Sequence, residues 1–131
     1  MLFHVFSTQS ERRAFGGSDF IEVQYCKLKR SADRKRIVSV NTVECWKEDS
    51  LYIAGDDWET FLDAYGEIVT GGTYSNLQTG YLDGYGINYF SPEQTKSIIE
   101  QLKEEKPQEF QTLLTWLEKG KQYNGFYILG V

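Results

Sequence analysis

Apolar and polar positions along this chain follow two different periods. Strand-like alternation dominates the first third, and helical spacing dominates the second half. From Phe20 to Leu28, Ile21, Val23 and Tyr25 alternate with Glu22 and Gln24, the period-two pattern of a strand. The β-branched stretch Ile37–Trp46 reads as its partner. The basic, turn-like segment Lys29–Arg36 would then form the tip of a hairpin. Leu2–Phe6 and Leu51–Ala54 read as further short strands. The polar stretch Ser7–Ser18, ending in Gly16-Gly17, reads as a loop or a short helix. Phe126–Val131 is almost continuously apolar, as expected of a strand covered on both faces.

Three segments carry helical spacing. Trp58, Phe61, Leu62, Tyr65, Ile68 and Val69 form one apolar stripe. Asp56 is placed to cap this helix, with Glu59 three residues on, and Gly71-Gly72 would stop it. Ser91-Pro92-Glu93-Gln94 predicts a second helix with a capping box and proline at the first helical position, followed by Ile98, Ile99 and Leu102. A third helix begins at Pro107, places Phe110, Leu113, Leu114 and Leu117 on one side, and ends at Gly120. Between the first two helices, residues 71–90 interleave glycines with Tyr74, Tyr81, Tyr85 and Tyr89. They read as a long loop holding one or two short strands, such as Gly86–Phe90. The order predicts a single α+β domain over residues 1–131, a mainly antiparallel sheet with about three helices packed on it.

Composition narrows the function classes. With 40% hydrophobic and 15% aromatic residues, the chain can fill a substantial core. No apolar run approaches the ~20 residues of a membrane span, and no signal-peptide pattern precedes Glu11-Arg12-Arg13. A soluble, cytoplasmic protein is expected. Cys26 and Cys45 are too few for a disulfide framework and are expected to be reduced, partly buried thiols. His4 is the only histidine, which disfavours zinc sites and Ser–His–Asp triads. P-loop, HExxH, GxSxG, CxxC and EF-hand patterns are missing, and Gly84-Tyr85-Gly86 is a lone GxG ahead of a strand. The pair Asp56-Asp57 could ligate a hard cation, but acids this dense become neighbours by chance. No cofactor, no metal and no enzymatic activity are expected.

Charge changes the picture most. Residues 1–47 hold nine Lys/Arg against five Asp/Glu, whereas residues 48–131 hold five against fourteen. Residues 48–67 contain seven acids and no base. Glu59, Asp63 and Glu67 stand four apart on the first predicted helix, where each like-charge pair costs roughly 0.2–0.5 kcal/mol. An acidic ladder that works against its own helix points to a basic partner. Asp56 extends it, and the neighbouring Gly/Tyr loop, with Tyr74, Tyr81, Asp83 and Tyr85, has the composition of a recognition loop. Tyr89 reads as core. Phosphate would be repelled by a net charge of −5, so nucleic acid is not expected as a partner. The basic residues Lys27, Lys29, Arg30, Arg34, Lys35 and Arg36 read as a solvated hairpin tip.

Gly55-Asp56-Asp57-Trp58 opening a helix, Tyr85-Gly86-Ile87-Asn88-Tyr89-Phe90-Ser91, the helix pair, and Asn124-Gly125-Phe126-Tyr127-Ile128-Leu129-Gly130 together resemble small immunity proteins of bacterial polymorphic-toxin and contact-dependent growth inhibition systems. The resemblance spans roughly residues 51–131. It implies a cytoplasmic bacterial protein that binds and neutralises a cognate toxin domain, often a basic nuclease, and it carries over no catalytic residues. The alternative is a small-ligand-binding or regulatory domain with the Gly/Tyr loop as a pocket wall.

Overall fold

A computed structural model of the chain describes residues 1–15, 19–43 and 46–130. Gly16, Gly17, Cys45 and Val131, which figure in the sequence reading, lie outside the described residues. The protein is an α+β fold built, among the described residues, on one antiparallel sheet of six strands. These are β1 (Phe20–Tyr25), β2 (Leu51–Ala54), β3 (Gly72–Thr73), β4 (Thr79–Gly80), β5 (Ile87–Phe90) and β6 (Phe126–Leu129). They lie in the order β2-β1-β6-β5-β3-β4. Among the described residues, five α-helices accompany them: α1 (Gln9–Ala14), α2 (Arg34–Ile37), α3 (Trp58–Tyr65), α4 (Pro92–Glu105) and α5 (Phe110–Lys119).

The two central strands explain the layering. All six residues of β1 are buried, so the alternation read in the sequence separates two covered faces. Ile21, Val23 and Tyr25 join Leu51, Ile53, Phe90, Phe126 and Ile128 against the long helices, where Phe61, Leu102, Leu113 and Leu117 fill the core. Tyr25 stacks on Trp116, with ring centroids 3.8 Å apart, a contact worth about 0.5–1.5 kcal/mol beyond burial. On the opposite face, Tyr89 and Tyr127 pack with Cys26, Ile37 and Val38, and Phe20 and Tyr52 pack with Phe6. Cys26 is a free, buried thiol. β6 runs between β1 and β5, as its apolar sequence predicts.

Of Ile37–Trp46, the described residues 37–43 are not the partner strand of a hairpin. Asp33 accepts a hydrogen bond from the Lys35 N–H and starts α2. Thr42 Oγ1 then donates to the Arg36 carbonyl, and the Asn41 N–H donates to Ser39 Oγ. These local bonds compete with strand pairing, and both edges of β1 are already taken by β2 and β6. Residues 37–43 instead lie over the second face of the sheet, with Ile37 and Val38 buried against Tyr89 and Tyr127. Leu2–Phe6 contributes a single bridge, His4 to Tyr52, rather than a strand.

α4 follows its sequence closely. Ser91 Oγ accepts from the Gln94 N–H, and Gln94 Oε1 accepts from the Ser91 N–H. Pro92 stands in the first turn. The Gln94 side chain also donates to the Gly71 carbonyl, which ties the helix to the start of β3. At Gly125, φ is +79° and a Cβ would strike the Phe90 carbonyl oxygen, so only glycine suits the entry to β6.

Candidate partner-binding face

α3 is shorter than its apolar stripe. Gly66 ends the helix, and the Tyr65 carbonyl then accepts from both the Ile68 and the Val69 N–H. Glycine and the β-branched run after it are poor helix formers, so the chain tightens into turns while Ile68 and Val69 stay buried. The acidic ladder is therefore split: Glu59 and Asp63 are exposed on α3, and Glu67 is exposed in the turn beyond. The start also differs. Asp56 does not cap the helix, because Gly55–Asp57 is a 3₁₀ turn and Asp57, at φ −98° and ψ 5°, is the N-cap with no side-chain bond. A capping side chain needs extended backbone at that position.

The Gly/Tyr loop is a built structure. β3 and β4 form a small hairpin, and the Tyr74 hydroxyl donates to the Tyr81 carbonyl. Tyr74 is therefore a half-buried brace within the hairpin. Beyond β4, Asp83 Oδ1 accepts from the Tyr85 N–H at 2.9 Å. Asn88, only 1% exposed, holds the same turn from below. Its Oδ1 accepts from the Asp83 N–H, and its Nδ2 donates to the carbonyls of Asp83 and Ile128. Asn88 was missed as a site residue; the signal was a lone amide in the apolar run Ile87–Phe90. Tyr89 is core, 1% exposed.

Backbone order contrasts with side-chain exposure here. Tyr81 and Tyr85 are 79% and 85% exposed, although the backbone at each is hydrogen-bonded. Gly84 lies against the Trp58 indole, where an added Cβ would sit 2.9 Å from Nε1. That contact places Asp83 and Tyr85 beside the first turn of α3. Tyr81 and Leu82 face the far end of the helix across an open groove of about 670 Å³, which Leu62, Asp63, Glu67 and Ile68 also line. Glu105 and Pro107 close its other side. Loop and helix thus run antiparallel.

The structure brings Asp63, Glu67 and Tyr81 around one groove, with Asp83 and Tyr85 further along the same face. Asp56 and Glu59 are exposed outside the groove. Glu105 is an addition that the sequence reading missed, because it belongs to a different helix. No lysine or arginine lines the groove, and Asp63, Glu67 and Glu105 have no ion pair among the described residues. Its rim is acidic and its floor is apolar.

A buried carboxyl with a shifted pKa lies elsewhere. Burial pushes the Glu22 carboxyl above its ordinary value, opposed by hydrogen bonds from Ser50 Oγ at 2.7 Å, Gln24 Nε2 at 3.0 Å and Tyr52 Oη at 3.3 Å, and by the Arg12 charge. Burial also raises Tyr89 to about 12. Glu22 is sealed on the second face of the sheet, remote from the groove. Among the described residues, no three His, Cys, Asp or Glu side chains converge to hold a metal ion. No described helix is long and apolar enough to cross a membrane. Comparison of the chain with models of protein families, with curated proteins and with solved structures finds no match.

Proposed function

We propose that this protein binds a basic partner protein through the face formed by α3, the 81–86 loop and the groove between them, and that the partner is a toxin domain which it neutralises. The observation that carries the binding reading is the pairing of two highly exposed tyrosines with a fixed backbone. Aromatic anchors on an ordered loop contribute large contact area at low entropy cost. Unpaired carboxylates alongside favour a cationic partner surface and speed its encounter. The toxin identity rests on the sequence resemblance.

The test uses a toxin domain encoded immediately upstream of this chain as the probe. Tyr81→Ala with Tyr85→Ala is expected to weaken binding by roughly 30-fold or more, a hot-spot effect. Glu59→Lys with Asp63→Lys and Glu67→Lys is expected to abolish protection of cells co-expressing that domain. Unchanged affinity in variants with native circular dichroism would exclude this face. The small-ligand alternative has one observation in its favour, that Tyr81 and Leu82 wall the groove. It would be favoured by a metabolite that copurifies and is lost in Leu82→Arg.

A further inference from the structure

A second cleft, of about 510 Å³, opens between the outer side of α4 and the turn joining α5 to β6. Its charge is opposite to that of the acidic groove. Arg30, Lys96, Lys103 and Lys121 line it, against Glu93 and Glu100, so a net positive site lies on a chain of net charge −5. Lys96 and Lys103 are exposed and have no ion-pair partner among the described residues. Among the described residues, Lys121 approaches only Glu118, at 3.9 Å.

The wall opposite α4 is held rigidly. The Arg30 guanidinium donates to the carbonyls of Lys121 and Tyr123, at 2.9 and 3.2 Å. Asn124 Nδ2 donates to the Lys29 carbonyl, and the Tyr89 hydroxyl donates to the Asn124 carbonyl. The segment read from sequence as a solvated basic tip therefore braces this turn. Ile99 and Tyr123 supply apolar surface between the cations.

We infer that this cleft is a binding site for an extended acidic segment of another protein. Lys96 and Lys103 are seven residues apart on one helix, about 10 Å along its axis. An extended polyproline-like segment advances about 9 Å in three residues. Acidic residues at every third position would then meet both lysines and leave neutral residues opposite Glu100. A nucleic-acid strand cannot leave such gaps, because it carries a charge at every phosphate. A phosphate cradle is also lacking, since the capping box already satisfies amides at the start of α4.

A fluorescence-anisotropy titration of the whole protein tests this, using a labelled peptide of repeating Glu-Pro-Ala and its Gln-Pro-Ala counterpart. Saturable binding of the acidic peptide is expected, weakened roughly tenfold or more by Lys96→Glu with Lys103→Glu, and weakened by added salt. Reversal of Glu59 and Asp63 on the other face is expected to leave it unchanged. Equal binding of the neutral peptide, or no effect of the lysine reversals in a folded variant, would overturn the inference. Tighter binding of a single-stranded oligonucleotide would overturn it in favour of nucleic acid. Self-association that the same reversals abolish would overturn it in favour of a second copy of the chain.

Discussion

At the scale of single residues, the chemistry that matters is set by what covers each side chain. Glu22 reads from sequence as the polar side of an ordinary strand, yet it is 5% exposed. Its folded pKa is raised above 4.5, so the folded protein holds that proton more tightly than the unfolded chain does. The stabilising contribution is complete below pH 4.5 and is lost as pH rises through the folded value. Glu22→Gln should therefore gain stability relative to the wild type as pH rises from that window towards neutral. Urea midpoints of both proteins measured across this range would check it; parallel curves would contradict it. The tyrosines make the same point. Tyr74, Tyr81 and Tyr85 are equivalent in sequence, but Tyr74 braces the hairpin while the other two face solvent.

At the scale of elements, local signals and local outcomes agree where the contacts are local. α4 has a capping serine, proline in the first turn and the reciprocal glutamine, and it forms with all three in place. Ser91→Ala should cost about 1 kcal/mol through loss of the cap. It should also loosen Gly71, because Gln94 loses the geometry from which it donates to that carbonyl. Thermal denaturation would read the first effect, and hydrogen exchange in residues 71–73 the second. α3 shows where local reading fails. Its apolar stripe continues to Val69 because those residues are buried, but the helix stops at Tyr65. Periodicity reports which side chains face the core, and the backbone between them need not stay helical.

At the scale of the whole molecule, charge is sorted between two faces. The acidic α3 face and the basic α4 cleft are both exposed, and each has few internal partners. For a basic partner, the association rate should fall roughly tenfold or more as salt is raised from low to high, with a much smaller change in the dissociation rate. Stopped-flow mixing would separate the two; a salt-independent association rate would argue against steering by this face. What the sequence by itself determined is the α+β class, the strands β1, β2, β5 and β6, and the helices α4 and α5. The composition of the acidic and tyrosine-bearing face was also legible. Each of these rests on periodicity, caps or charges acting within a few residues. Only the tertiary structure decided that β1 pairs with β2 and β6, that residues 26–43 cover the sheet, and that Glu105 joins Asp63 and Glu67 around a groove. Those outcomes depend on which distant segments compete for one strand edge or one apolar face, and that competition is settled by packing across the whole fold.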